Sequence, residues 1–298
     1  MPKGFSPLKF WQSIQLIGSL GQDVVKRKYL VWQRRILFGS VAAACSFQIC
    51  PLVSMKAPAQ QAVFPSATVP IQHLIAFLVP SRFQGRIVSQ VNLRRKEKTI
   101  ALTFDDGPSP NSTSQILDIL QENHVKATFF LIGHNLKRLP QIGQRVVAEG
   151  HAIGNHTWHH WHRPMDEFTS KREIEDTAML LKKTTGVKTN LFRPPNGFLY
   201  NGLADYALKQ KQVVVTWSVD SGDWHKRGVS VEGLVNYVVD KAKPGSIILM
   251  HDGGGDRTKT VQALPKIIER LTQRGYTFVT VPEMLQMKDQ ELTKKPIA

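Results

Sequence analysis

The sequence predicts an α/β fold of parallel β/α units, either a barrel or a doubly wound sheet, over roughly its last 200 residues. Three observations predict it. Short apolar runs alternate with amphipathic stretches from Thr99 onward. Polar and titratable residues recur directly after those runs, where parallel β/α folds place their chemistry. The composition, 42% hydrophobic against 21% charged, supplies a sizeable core and excludes a disordered chain.

Taken in order, the strand-like runs are 100–104, 127–132, 152–154, 191–192, 213–219, 247–250 and 277–281. Helical periodicity fills the intervals at 113–123, 137–149, 170–184, 201–210, 230–242 and 261–273. The remaining chain divides into a basic N-terminus with an apolar segment (1–56), a linker and capping segment (57–98), the main domain (99–288) and a polar tail (289–298). Pro58, Pro65 and Pro70 mark the linker, and the apolar patch 71–79, too short to span a bilayer, is expected to cap the domain as a helix.

Charge is distributed unevenly. Residues 1–98 carry 14 Lys and Arg against 2 Asp and Glu, whereas 99–298 carry 25 against 21, so most of the net +16 sits in the extension. Arg34 and Arg35 precede 18 uncharged residues, 36–53, the pattern of a secretory signal or signal anchor. A packed helix is the competing reading, because Gln48 and Pro51 interrupt the run. The basic excess therefore reads as a membrane-proximal flank; no nucleic-acid partner is expected, and the domain is expected to be monomeric and extracytoplasmic, anchored or secreted. Both cysteines, Cys45 and Cys50, lie in the apolar segment, which excludes a disulfide framework and a thiol nucleophile from the main domain.

The chemistry lies at the strand ends. The first run closes on Asp105, Asp106, Gly107 and Pro108, adjacent carboxylates that would serve either as a helix cap or as a reactive pair. His156 and His160 follow the third run four residues apart, a spacing that on a helical turn brings two imidazoles to one side. One Asp oxygen and two His nitrogens make a three-ligand site with a position left for water, the pattern of a catalytic cation. Arg193 precedes Pro194 and Pro195, which fix its backbone. Asp220, Asp223 and Trp224 end the fifth run, and His251 and Asp252 the sixth.

Five segments, 103–108, 156–160, 193–197, 220–224 and 249–252, resemble in order and spacing the five motifs of the NodB-like polysaccharide deacetylases, carbohydrate esterase family 4. The resemblance covers about 99–285 and implies a distorted (β/α)7 barrel and one divalent metal, zinc or otherwise cobalt or another ion. It implies Asp105 as base, Asp106, His156 and His160 as metal ligands, Arg193 orienting Asp105, and Asp220 tuning His251 as acid. Pro195, Asn196, Trp224 and Leu249 would contact substrate, the last two at the acetyl methyl. The family commonly has an aromatic where Asn196 stands, which alters a substrate contact but keeps the backbone N–H. The implied reaction is removal of N-acetyl groups from an N-acetylhexosamine polymer, peptidoglycan or chitin-like, by metal-activated water; O-acetyl esterase activity on xylan or exopolysaccharide and a non-catalytic carbohydrate-binding role are the alternatives.

Overall fold

The structure, a computed structural model, describes residues 78–94, 98–225 and 230–294, all within one compact unit, Phe64–Ala298. The basic flank, the apolar run 36–53, the linker and most of the expected capping helix at 71–79 lie outside the described residues. Among the described residues no helix is long and apolar enough to cross a membrane.

Among the described residues nine strands form one sheet: β1 (Ile87–Val88), β2 (Lys98–Asp105), β3 (Thr128–Leu131), β4 (Ala152–Asn155), β5 (Leu191–Phe192), β6 (Val213–Val215), β7 (Val219–Asp220), β8 (Ile247–His251) and β9 (Tyr276–Phe278). Their order is β1-β6-β5-β4-β3-β2-β8-β7, with β9 paired to the start of β2, and every strand pairing is parallel. The α-helices among the described residues are α1 (Ser112–Glu122), α2 (Gly133–Arg138), α3 (Pro140–Ala148), α4 (Glu167–Thr185), α5 (Leu203–Lys209), α6 (Val231–Lys241), α7 (Thr258–Gln273) and α8 (Val281–Thr293). The fold is thus the distorted barrel of parallel β/α units.

Alternation along β2 decides what reaches the site. Ile100, Leu102 and Phe104 pack outward against the helices, while Ala101, Thr103 and Asp105 face the interior. Asp105 is the last residue of β2 and pairs with both Phe130 and His251, so the polar strand ends of β2 and β8 sit side by side. Val281, Met284 and Leu285 of α8 join the inner cluster with Ala101, Phe130 and Val213.

Three sequence expectations need correction. The run 213–219 is two strands, because the chain leaves β6 on one end of the sheet and crosses through Thr216, Trp217 and Ser218 to β7 on the other. The helix expected at 137–149 begins earlier and is broken at Leu139 (φ −131°, ψ 55°), since Pro140 disfavours helical backbone in the residue before it. The run read as a strand to residue 281 instead ends at Phe278, and α8 follows through Thr293, past the boundary read at 288. A reciprocal Thr280–Glu283 capping box starts it, with Pro282 in its first turn.

Candidate active site

The Asp105 and Asp106 pair does not cap α1, whose N-cap position is Asn111. Instead Asp105 stays on the strand and Asp106 turns away with a left-handed backbone, φ 75°. Gly107 follows because nothing larger fits: an added Cβ would lie 2.0 Å from Asp252 Oδ2. Its N–H donates to Asp252 Oδ1 at 3.1 Å, and Thr113 Oγ1 donates to Oδ2 at 2.6 Å. Burial pushes the Asp252 carboxyl up to about 7, against the Thr113 hydrogen bond and with the help of the Asp106 and Asp105 charges. Asp252 therefore braces the turn that carries the acidic pair.

Arg193 is wholly buried in the barrel interior. Its Nη1 donates to Asp105 Oδ1 at 2.7 Å and to Thr103 Oγ1 at 2.8 Å. Nε and Nη2 donate to the carbonyls of Val215 and Thr216, and the guanidinium lies 4.0 Å above the Phe130 ring centroid. Burial lowers its pKa, and the Asp105 charge opposes that shift. With its donors directed this way, Arg193 fixes Asp105 in one orientation.

His156 and His160 do come together, though not on a helical turn. They flank an irregular loop in which Thr157 (φ 66°) and His160 (φ 59°) are left-handed. His156 Nδ1 donates to the Arg193 carbonyl at 2.7 Å, which leaves Nε2 as the acceptor nitrogen facing inward. That Nε2 stands 3.5 Å from Asp106 Oδ1, and His160 Nε2 stands 3.1 Å from the same oxygen.

These three residues fit a cation. Their ligand atoms lie within 4.8 Å of one another, and Asp106 Oδ1 is buried without a hydrogen-bond partner. A buried carboxylate oxygen with no donor is costly unless a positive charge completes it. Burial would raise the Asp106 pKa, yet the facing His156 and His160 hold it well below the usual carboxylate range. Burial and the neighbouring His156 push His160 down to about 3, which keeps its ring neutral and able to ligate. One oxygen and two imidazole nitrogens are the donors zinc and cobalt accept, so the site can hold a divalent ion.

His251 lies across the same cleft of about 740 Å³, which also takes in Asn196, Trp224 and Leu249; Pro195 is buried in the turn below Asn196. Its partner corrects the sequence reading. Asp223, not Asp220, pairs with His251: Oδ1 stands 2.7 Å from Nδ1, and Oδ2 accepts the backbone N–H at 2.8 Å. Burial depresses the His251 pKa, but the Asp223 pairing and the Asp105 and Asp106 charges raise it above the ordinary histidine value. Asp220 accepts instead from the Gly222 N–H and, at 3.3 Å, from Trp224 Nε1, so it holds the half-exposed indole at the cleft wall. Sequence reasoning also missed Phe198, Trp217 and Arg257, which line the cleft from turns and from the β6–β7 crossing.

Comparison with known proteins places the chain in a family. The polysaccharide deacetylase family profile matches residues 92–215. A peptidoglycan-N-acetylglucosamine deacetylase of Bacillus cereus is 44% identical over 197 residues, covering 64% of this chain and 90% of its own length. The crystal structure of a peptidoglycan N-acetylglucosamine deacetylase in complex with 4-naphthalen-1-yl-N-oxidanyl-benzamide superposes with a TM-score of 0.62 at 40% identity, covering 68% of this chain and 94% of that one. A family 4 acetyl xylan esterase from Clostridium thermocellum, in complex with a cobalt ion, gives a TM-score of 0.60 at 34% identity, over 64% of this chain and 92% of that one. With five strand-end motifs converging on one cleft of a distorted (β/α)7 barrel, the chain belongs to the polysaccharide deacetylases of carbohydrate esterase family 4 and is a hydrolase of that family.

Proposed function

We propose that the chain is a divalent-metal-dependent deacetylase that removes N-acetyl groups from an N-acetylhexosamine polymer of the cell-wall peptidoglycan class. The observation that carries this is the cleft itself, where the Asp106, His156 and His160 cluster lies between an arginine-braced Asp105 and an aspartate-paired His251. Both residues that hydrolysis of an amide demands are in place, which favours a working enzyme over a non-catalytic binding protein.

A zinc or cobalt ion held by Asp106, His156 and His160 would supply Lewis-acid polarisation of the acetyl carbonyl and acidify a coordinated water. Asp105, its Oδ1 occupied by Arg193, offers Oδ2 as the base that takes the water's proton. His251, kept charged by Asp223, donates a proton to the departing nitrogen, without which an amine leaves poorly. Leu249 and Trp224 offer apolar surface for the acetyl methyl, and Asn196, on a left-handed turn (φ 54°), lines the same cleft. The resemblance to the acetyl xylan esterase supports O-deacetylation as the second reading, because the same groups serve an ester. Acetate release by the zinc- or cobalt-loaded full chain, compared on acetylated peptidoglycan, chitooligosaccharides and acetylated xylan, separates them. Turnover confined to xylan would overturn the amide reading.

Asp223→Asn leaves His251 a hydrogen-bond partner but removes the negative charge, so the His251 pKa falls. The alkaline limb of the kcat/KM profile is expected to move to lower pH. Asp220→Asn is expected to leave that limb in place and to raise KM, since Asp220 touches Trp224 and Gly222. The reverse pattern would return the acid's partner to Asp220.

The names of the relatives give peptidoglycan as what they act on, which supports a reaction outside the cytoplasm, and the basic flank before residues 36–53 supports export of the domain with the N-terminus retained inside. A reporter active only outside the cytoplasm, fused after Ala298, is expected to be active. Silence from an intact fusion in the cytosol would overturn this location.

A further inference from the structure

The loop between the two histidine ligands is irregular and contains two left-handed non-glycine residues, Thr157 and His160. Such backbone persists only where its surroundings over-determine it. Part of the restraint is local: Thr157 N–H donates to Asn155 Oδ1, and His160 N–H donates to Thr157 Oγ1. From α2, the N–H groups of Gly133 and His134 donate to the carbonyls of Thr157 and Trp158.

The remaining restraint comes from α4. That helix is fixed at both ends, by Asp166 accepting from the Thr169 N–H and by left-handed Gly186 at its C-terminus. Within it Glu173 is 3% exposed, and its carboxylate is spent on the loop. Oε2 accepts from the N–H of Trp158 at 3.0 Å and of His159 at 2.8 Å, while Oε1 stands 2.5 Å from His159 Nδ1. No lysine or arginine pairs with it among the described residues. A buried carboxylate survives only if its oxygens are satisfied, and here the peptides midway between the two ligands satisfy them.

We propose that Glu173 is a positioning residue for the metal site: it fastens the loop at Trp158 and His159 and so sets the spacing of His156 and His160 about the ion. It touches neither ligand ring, and the inference rests on the reading of Asp106, His156 and His160 as metal ligands. Partners that hydrogen-bond a metal ligand directly tune affinity by about 10-fold to 100-fold, and an anchor of the loop between two ligands is expected at the lower end of that range.

The test is cobalt titration of the metal-free full chain, read by affinity and by the visible absorption of the bound ion, with the Tm of each metal-free variant alongside. Glu173→Ala strips the acceptors from two backbone N–H groups and is expected to weaken cobalt binding at least about 10-fold and to alter the spectrum. Glu173→Gln presents one oxygen to both N–H groups and an amide N–H₂ to His159 Nδ1, so affinity and spectrum should return close to wild type. If Glu173→Ala does not fold, Glu173→Asp, which withdraws the carboxylate by one methylene, is expected to show the same weakening. Variants that fold with a lower Tm but bind cobalt with wild-type affinity and spectrum would make Glu173 a packing residue and overturn the proposal. Failure of the wild-type chain itself to bind cobalt would overturn the metal reading and the positioning role with it.

Discussion

Replacing both His156 and His160 by alanine is expected to abolish stoichiometric metal binding and activity together. Each offers one of three candidate ligand atoms that lie within 4.8 Å of one another, and Asp106 alone would leave a single carboxylate for the ion. His156 is fully buried and held by the Arg193 carbonyl, so no neighbouring side chain can swing into its place. His162, whose Nε2 stands 3.0 Å from His160 Nδ1, is a candidate substitute, and the double variant removes that partner. Loss of Lewis-acid assistance worth several kcal/mol lowers turnover by roughly a thousandfold or more. Chelation should reproduce the loss in the wild-type chain, and added zinc or cobalt should restore the wild type but not the variant. Elemental analysis finding one equivalent of metal in the folded double variant would refute the ligand assignment.

Most of the site was legible because parallel β/α folds collect their chemistry at one end of the strands. Asp105, His156, Arg193 and His251 each stand at the last residue of a strand or one residue past it, and such strands survive in sequence as short apolar runs. What failed was the reading of loops. Asp220 ends β7 in register with Leu249, two residues short of His251. The turn through left-handed Gly222 then carries Asp223 across to the imidazole, and linear spacing contains no record of that reversal. The run 213–219 likewise hides its break, since Thr216 and Trp217 are residue types common in strands although they lie on the crossing between β6 and β7. The helix α8 did leave a signal, Thr280 three residues before Glu283 with Pro282 between them, but the strand reading extended over its cap. Glu173 left none: one acid among many on a charged helix is distinguished only by what its carboxylate meets.

Asp105→Asn is expected to separate the base from the metal. The substitution preserves shape, leaves Asp106, His156 and His160 untouched and still offers Arg193 Nη1 an oxygen to donate to. It removes the proton acceptor, so kcat should fall about 100-fold or more while metal content stays at one equivalent. A second consequence follows from burial. Arg193 is fully enclosed and Asp105 is its only carboxylate partner among the described residues, so neutralising Asp105 leaves an uncompensated guanidinium in the barrel. Breaking a buried pair in this way costs on the order of 3 kcal/mol, softened by the retained hydrogen bond, and a lower Tm should accompany the slower turnover. Activity is therefore compared well below the variant's Tm, so that unfolding does not mimic lost catalysis. A folded, metal-replete Asp105→Asn enzyme with wild-type kcat would move the base elsewhere and leave Asp105 as no more than the counter-charge for Arg193.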